Sequence, residues 1–298
     1  MNIDNRDDDN LPTSKSELEE PIRADLGLVE LGLASSRQRA QALIQEGRVF
    51  LINAQGQRVA IKKASQILDL RSGARLELAQ SSDPEFVSRG GLKLHGALQK
   101  LRELNLSPPT QLTMRGSIVL DIGVSTGGFT DCCLQSGASL VVGVDVGHDQ
   151  LAPALRHDSR VKIFERWNAR ELDRPELREQ LLQATNARLF DWVVMDLSFI
   201  SQRLVLPALL GSGIEMLKPD ASLLTLVKPQ FELGREALGK GGIVKDEKRR
   251  AALEPQMRDF LASLGWTVLA YFPSPILGSD GNQEFFLYAR PPQQLNWL

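Results

Sequence analysis

Short apolar runs alternate with helical patterns along most of this 298-residue chain. After residue 116, seven of these runs are predicted to be strands, because each is rich in β-branched, leucine or aromatic residues and is bounded by polar or glycine-containing turns. The predicted strands cover residues 117–120, 140–144, 161–164, 190–195, 223–227, 266–271 and 284–288. Helical patterns separate most of them, so we expect an α/β, Rossmann-like seven-stranded sheet with helices on both faces. The last two strands are close enough to form a hairpin, which makes the final strand antiparallel.

A different pattern precedes this sheet. A short helix is predicted to begin at Arg23, and a second helix over residues 37–46 starts from an N-cap at Ser35 or Ser36 and ends before Gly47. Three short apolar runs follow and predict strands over residues 49–52, around 59–61 and over 75–78. We therefore expect a small α+β domain over residues 22–80, a polar linker over 81–87 and the sheet domain over 88–298.

Charge divides the N-terminal region into two parts. Residues 1–21 carry seven acidic against two basic residues, which predicts a disordered acidic tail and is unlike a signal or transit peptide. Residues 22–80 carry nine basic against five acidic residues. In the second helix Ala40, Leu43 and Ile44 form the apolar stripe, so Arg37, Arg39 and Gln41 are expected mostly on exposed faces. On charge alone, a solvated surface explains these residues best.

Composition narrows the function classes. The longest apolar runs have the length of strands, so no membrane span is predicted. Cys132 and Cys133 are adjacent in a predicted helix and are expected to be buried thiols of a reducing cytoplasm. The three histidines have no spacing typical of metal ligands, and no metal site is predicted.

A glycine-rich turn follows the first strand of the sheet, and a carboxylate ends the second. The turn contains Asp121, Gly123, Ser125, Thr126 and Gly127, and the second strand leads into Asp145. Glycines allow backbone N–H groups to approach a ligand, and an acid at the second strand end accepts hydrogen bonds from ribose hydroxyls. The turn is not G-x-G-x-x-G, which favours S-adenosyl-L-methionine over a dinucleotide. The competing interpretation is that the glycines serve only the geometry of a sharp turn.

Charged residues also follow two later strands. Asp196 comes after residues 192–195, and Lys228 after residues 224–227, while Lys93 lies near the start of a helix and Glu284 opens the last strand. The carboxyl ends of parallel strands line the crevice in which ligands of open α/β sheets bind, so Asp196 and Lys228 are expected to face the cofactor. Taken singly, each of these residues would be explained as a solvated charge.

Two resemblances to known families favour a functional role for these charged residues over a solvated surface. The segment "GLASSRQRAQALIQEGRVFLIN" resembles S4 RNA-binding domains, and this resemblance implies phosphate contacts from Arg37, Arg39, Arg48, Lys62 and Lys63. Residues 86–290 resemble FtsJ-like 2′-O-ribose methyltransferases. The strings "SRGGLKL", "STGGFTD", "VDVGHDQL", "DLSFIS", "VKPQFELG" and "GNQEFFLYA", together with the S4-like segment, are similar to the haemolysin A (TlyA) family.

The resemblance implies a Lys-Asp-Lys-Glu tetrad and a reaction. The tetrad maps onto Lys93, Asp196, Lys228 and Glu284, with Asp196 also facing the cofactor and Asn168 contacting its adenine. The implied activity is S-adenosylmethionine-dependent methylation of cytidine 2′-hydroxyls in ribosomal RNA or ribosomal subunits, in the cytoplasm. Two departures are Val124, where a smaller residue is usual, and Trp167 beside Asn168.

The chemistry favours Lys228 as the base and Asp196 as the group that orients it, with Lys93 as the alternative base. Methylation of an exocyclic nitrogen is less favoured, because no proline-aromatic pair follows Asp196. Residues 234–242 are glycine-rich and basic, and are either an ordinary loop or a lid over the target nucleotide. A non-catalytic RNA-binding assembly factor and a pore-forming haemolysin are the two alternative functions.

Overall fold

The computed structural model describes residues 20–34, 36–45, 47–71, 73–79, 85–104, 106 and 112–291. The chain forms two compact units that divide between Glu85 and Phe86. The predicted acidic tail, except for residues 20 and 21, lies outside the described residues, as do Ser35 and residues 81–84 of the predicted linker. The predicted domain boundaries therefore stay predictions.

The N-terminal unit has the expected α+β elements and, in addition, two short strands that were not predicted, β1 (Ile22–Arg23) and β4 (Ile67–Leu68). Its helices and strands are β1 (Ile22–Arg23), α1 (Ala24–Glu30), α2 (Arg37–Gln45), β2 (Val49–Ile52), β3 (Arg58–Ala60), β4 (Ile67–Leu68) and β5 (Arg75–Leu78). Strands β3, β2 and β5 form an antiparallel sheet in that order, and β1 pairs with β4. Ser36 Oγ accepts a hydrogen bond from the Arg39 N–H at 3.2 Å, in keeping with a cap at the start of α2. The predicted stripe of Ala40, Leu43 and Ile44 is buried.

A buried carboxylate corrects part of the prediction for α2. Asp25 is fully buried and accepts hydrogen bonds from Arg23, from Arg37 Nε at 2.9 Å and from Gln41 Nε2 at 3.1 Å. Gln41 is therefore half-buried, and the Arg39 side chain is only 22% exposed. The expectation that Arg39 and Gln41 lie mostly on exposed faces was wrong. Gln41 donates to the acid of the neighbouring helix and Arg39 approaches Glu85, and helical periodicity reveals neither contact.

The C-terminal unit contains the predicted seven-stranded sheet. Its strands are β6 (Ile118–Ile122), β7 (Leu140–Asp145), β8 (Val161–Glu165), β9 (Phe190–Met195), β10 (Leu217–Val227), β11 (Thr267–Pro273) and β12 (Phe285–Arg290). Within the described residues the strand order is β11-β12-β10-β9-β6-β7-β8. Strands β10, β9, β6, β7 and β8 are parallel, and β12 is antiparallel to both of its neighbours, as the sequence predicts.

Strand β10 is longer than its apolar run suggested. It starts at Leu217, six residues before the predicted start at residue 223, and its register shifts between Leu217 and Ser222. Lys218, Pro219 and Asp220 are exposed in this part of the strand, so the segment has no continuous apolar run. Irregular, exposed strand ends of this kind are not detected by hydrophobic periodicity.

Helices cover the sheet, and at one point the starts of two helices lie against each other through glycines of both. The helices of this unit are α3 (Arg89–Glu103), α4 (Gly128–Gln135), α5 (Pro153–Arg156), α6 (Pro175–Ala184), α7 (Pro229–Glu232) and α8 (Glu247–Ser263). A Cβ atom on Gly128 would lie 2.3 Å from Ser88 Oγ and 2.8 Å from the Gly91 nitrogen. Only glycine permits this approach, which brings the helix of Lys93 against the start of α4.

Candidate active site

The turn after β6 has the backbone that its glycines predicted. Gly123 and Gly127 adopt left-handed φ values of 86° and 97°, and Gly127 precedes α4 as its N-cap. A Cβ atom on Gly123 would lie 2.6 Å from the Asp196 carbonyl oxygen, so a side chain is excluded there. The turn, including Ser125 and Thr126, lines a cleft at the carboxyl ends of the parallel strands.

Asp121 lies beneath this turn, fully buried. Its Oδ2 accepts a hydrogen bond from Thr130 Oγ1 at 2.6 Å, whereas Oδ1 is buried and has no hydrogen-bond partner among the described residues. Burial raises the pKa of Asp121 to about 7, against the lowering effect of the Thr130 hydrogen bond, and the charges of Asp196 and Asp145 raise it further. The carboxyl group is therefore poised between its neutral and charged forms near neutral pH.

Asp145, at the end of β7, is held by backbone groups. Its Oδ2 accepts the Ser125 N–H at 2.7 Å, and its Oδ1 accepts the Gly147 N–H at 2.7 Å. Each oxygen retains a lone pair for a ligand hydroxyl. Asn168 uses its side-chain oxygen to accept the Arg170 N–H at 3.1 Å, which caps the short 3₁₀ helix Ala169–Glu171. An adenine contact by Asn168 stays a prediction.

The four predicted tetrad residues form two ion pairs. Lys93 Nζ lies 2.6 Å from Glu284 Oε2, and Lys228 Nζ lies 2.6 Å from Asp196 Oδ1. Both lysines are buried, and Glu284 is 3% exposed. Lys93 and Asp196 line the same cleft as the glycine turn, so the two pairs meet at one site.

Strand register explains this meeting. Met195 at the end of β9 pairs in parallel with Thr225 of β10, and each strand then runs on to Asp196 or Lys228. Val227 pairs with Phe285 in the antiparallel ladder, so Glu284 precedes β12 at the same edge to which Lys228 follows β10. The sequence placed Glu284 inside the last strand, but the structure places it one residue before the strand.

Three residues of this edge were not predicted to contribute. Ser198 lines the cleft and accepts a hydrogen bond from Lys228 Nζ at 2.8 Å. Phe199 is 91% exposed, adopts a left-handed φ of 66° and contacts Phe231 with ring centroids 5.4 Å apart. Val146, immediately after Asp145, is 76% exposed. No periodicity marks these residues, because each depends on a loop conformation.

The predicted RNA-binding residues lie in the N-terminal unit in three settings. Arg37 is bound to Asp25 but its side chain is 55% exposed. Arg39 and Arg48 both approach Glu85 Oε1, at 4.0 and 3.2 Å. Lys62 and Lys63 are exposed. Arg23, which sequence reasoning did not select, shares Asp25 with Arg37.

The glycine-rich segment after Lys228 is connected to the segment before Glu284. Buried Asn282 accepts the Val244 N–H at 2.9 Å and donates to the Gly242 carbonyl at 3.1 Å. The short 3₁₀ helices Arg235–Ala237 and Lys240–Gly242 precede this connection. Whether the segment acts as a lid stays a prediction.

Comparison with known proteins decides the family. Residues 86–290 match the sequence model of the FtsJ-like methyltransferases. The chain belongs to this family. The "16S/23S rRNA (cytidine-2'-O)-methyltransferase TlyA" of Mycobacterium tuberculosis is 41% identical over 268 residues, which is 90% of this chain and 89% of that protein. The protein YqxC of Bacillus subtilis is 39% identical over 281 residues, which is 94% of this chain and 88% of that protein.

A solved structure supports the same assignment of this FtsJ-like methyltransferase. A Streptococcus thermophilus protein that carries a hemolysin name is 35% identical, with a TM-score of 0.62, and the match covers 91% of this chain and 88% of that chain. In the described part of the chain, no helix combines the length and the apolar character needed to cross a membrane. The same residues contain no group of three histidine, cysteine or acidic side chains placed to hold a metal ion.

The position of Asp121 predicts a dependence of stability on pH. A carboxyl group with a folded-state pKa of about 7 and an unfolded pKa near 4 binds more protons in the folded protein, so the free energy of unfolding falls as pH rises from about 4 to about 7. Asp121→Asn removes this contribution. We compare the free energies of unfolding of the variant and the unmodified protein in urea without ligand. The difference between them should shift in favour of the variant by roughly 2–4 kcal/mol as the pH is raised from about 4 to about 8. Asp173→Asn, at an exposed aspartate, is the control and should follow the unmodified protein; parallel curves for Asp121→Asn would contradict the buried, partly protonated carboxyl.

Proposed function

We propose that this FtsJ-like methyltransferase transfers a methyl group from S-adenosyl-L-methionine to the 2′-hydroxyl of a cytidine ribose in ribosomal RNA. The observation that supports this most directly is the pair of ion pairs, Lys93–Glu284 and Lys228–Asp196, around one cleft beside a glycine turn. The name and the 41% identity of the M. tuberculosis relative support the same substrate. Because the proposed substrate is ribosomal RNA, we place the protein in the cytoplasm. Four filled tetrad positions favour an enzyme over a non-catalytic assembly factor.

The residues of the cleft fit S-adenosylmethionine. Asp121 has a buried oxygen without a partner among the described residues, and the glycine turn above it lines the cleft. Asp145 is oriented by two backbone N–H groups, and exposed Val146 beside it offers an apolar contact for an aromatic ring. When bound, the cofactor would supply an electrophilic methyl group. We propose that Asp145 binds its ribose hydroxyls and Asp121 its ammonium group.

The target hydroxyl must lose its proton as it reacts, since a ribose 2′-hydroxyl is a poor nucleophile near neutral pH. We propose Lys228 as the acceptor of that proton. Its carboxylate partner Asp196 has a side chain that is 20% exposed, whereas Glu284, the partner of Lys93, is 3% exposed. Asp196 and Ser198, which both contact Lys228, line the cleft. We therefore assign proton acceptance to Lys228 and positioning of the nucleotide to Lys93.

RNA contacts are assigned to both units. In the N-terminal unit, which we propose is an S4 RNA-binding domain, Lys62, Lys63 and the outward face of Arg37 are available to phosphates, with Arg39 and Arg48 nearby on the same unit. In the catalytic unit the exposed ring of Phe199 stands beside Ser198 of the cleft. An aromatic face at that position suits stacking on an unstacked base, as chemistry on a nucleotide within a folded RNA requires.

The cofactor assignment predicts the effect of Asp145→Ala. Loss of the carboxylate removes charged hydrogen bonds to the cofactor, so we expect binding of S-adenosylmethionine to weaken by about 1.5–3 kcal/mol in calorimetry. A thermal melt checks that the variant is folded. Unchanged affinity would point to another acid or to another cofactor.

The base assignment predicts the behaviour of Lys228 variants. Lys228→Ala should bind cofactor and RNA almost normally and lose about 10²–10⁴-fold in single-turnover methyl transfer, the usual contribution of general base catalysis. Lys228→Arg should lose nearly as much, because a guanidinium does not give up its proton in this pH range. Lys218→Arg, at an exposed lysine paired with Asp191, is the matched control. Near-full activity of Lys228→Arg would make Lys228 a positioning cation and leave Lys93 or water as the proton acceptor.

The RNA assignment predicts a change in salt dependence. Replacing Lys62 and Lys63 together by glutamine should weaken binding to ribosomal RNA and lower the slope of log affinity against log salt by about 1.5, since each phosphate contact contributes roughly 0.7–0.9. Affinity for S-adenosylmethionine should not change. Lys162→Gln combined with Lys248→Gln, both exposed in the other unit, removes the same charge and is the control. An equal loss in the control pair would show that the effect is one of net charge only.

A further inference from the structure

We infer that Ser198 is a positioning residue that works with Asp196 to fix the direction of the Lys228 lone pair. This inference rests on the proposed function, with Lys228 as base. Lys228 Nζ lies 2.6 Å from Asp196 Oδ1 and donates to Ser198 Oγ at 2.8 Å. Ser198 and Asp196 both line the cleft.

The geometry of a neutral amine gives these two contacts their significance. Its nitrogen carries one carbon, two hydrogens and one lone pair in a tetrahedral arrangement. Asp196 attracts the amine hydrogens by its charge, but its contact with Lys228 lacks hydrogen-bond geometry, so by itself it leaves rotation about the Cε–Nζ bond open. The hydrogen bond to Ser198 fixes one hydrogen, the charge of Asp196 then favours the second hydrogen on its side, and the remaining direction belongs to the lone pair. A base acts only when its lone pair meets the proton that it removes.

The loop that carries Ser198 is fixed to the segment that carries Lys228. Glu232, whose side chain is 1% exposed, accepts Ser201 Oγ at 2.6 Å and the Gln202 N–H at 2.7 Å. Gln202 Nε2 donates to the Leu226 carbonyl at 2.6 Å, two residues before Lys228. These hydrogen bonds hold the serine loop and the lysine segment in register.

The backbone beside Ser198 shows that the loop is constrained. Phe199 adopts a left-handed φ of 66°, which is uncommon for a bulky residue and costs conformational energy. Such a conformation persists only where surrounding contacts determine it. The hydrogen bonds to Glu232 and Leu226 are the contacts that hold this loop conformation, so the hydroxyl of Ser198 is in place before any substrate binds.

Ser198 does not gain or lose a proton in this scheme. The ribose O–H bond breaks and its proton passes to Lys228 Nζ, while the oxygen forms a bond to the methyl carbon. The bond between that carbon and sulfur breaks, and its electron pair stays on the sulfur. Lys228 ends as an ammonium that keeps its hydrogen bond to Ser198 and its ion pair with Asp196 and carries one additional hydrogen. Solvent then removes that proton before the next turnover.

The test is Ser198→Ala, measured in single-turnover methylation of ribosomal RNA across pH. Loss of the Ser198 acceptor lets the amine rotate, so we expect the rate to fall by about 10–100-fold with cofactor and RNA affinities unchanged. The charges of Asp196 and Asp280, which both act on Lys228, are unchanged in this variant. The ammonium form, however, loses its hydrogen bond to Ser198, so the rising limb of the pH–rate profile should move to lower pH. Ser198→Thr keeps a hydroxyl and should recover most of the rate and the original position of the limb.

Ser201→Ala is the matched control within the same loop. It removes a hydroxyl that contacts Glu232 and not Lys228, so any loss of rate should leave the pH limb in place. An unchanged rate in Ser198→Ala, or a loss without a shifted limb that threonine does not recover, would overturn the inference. If the alanine variant does not fold, Ser198→Gly removes the same hydroxyl and is read in the same way.

An assay of the unmodified protein distinguishes a failure of this inference from a failure of the proposed function. If the protein methylates no ribose in ribosomal RNA, the proposed function fails and Ser198 has no base to orient. If it does so and Lys228→Ala is inactive, while Ser198→Ala matches the unmodified protein in rate and pH profile, only the role of Ser198 fails.

Discussion

The parallel pairing of β6 with β7 on one side and β9 on the other is the constraint on which the site depends. These ladders bring Asp121, Asp145 and Asp196 to a single edge of the sheet. Three carboxylates in one place repel one another, and each is stabilised differently. Asp145 accepts two backbone N–H groups, Asp196 is paired with Lys228, and Asp121 has its pKa raised to about 7 by burial and by the other two acids.

The antiparallel strand at the other side of β10 completes the arrangement. Strand β12 brings Glu284 to the edge where Lys228 follows β10, and Glu284 holds Lys93 from α3. Removing two ion pairs from water is costly, and the cost is offset only when geometry and hydrogen bonds are good. The close approach of Gly128 to Gly91 sets the position of α3, so the packing of small residues fixes the distance at which Lys93 meets its partner.

The sequence was sufficient for the elements that depend on local pattern. The seven strands, the antiparallel last strand and the buried face of α2 all follow from apolar periodicity. The family resemblance, rather than the pattern, selected Lys93 and Glu284, which lie 191 residues apart in the chain. The role of Asp25 in holding Arg37 and Gln41 could not be predicted, because it depends on the packing of α1 against α2. Ser198 was missed for a related reason: its place is set by Glu232, through hydrogen bonds to a loop about thirty residues earlier.

The chemical difference between the partners of the two lysines is consistent with the proposed division of labour. Lys93 is paired with a deeply buried carboxylate, which suits the proposed role of a cation that positions a nucleotide. Lys228 is held by one partly exposed carboxylate and one neutral hydroxyl. A second carboxylate in place of Ser198 would also accept a hydrogen bond, but its charge would hold the proton on the amine. A hydroxyl orients the amine without adding that charge, so this combination of partners suits the base that we propose Lys228 to be.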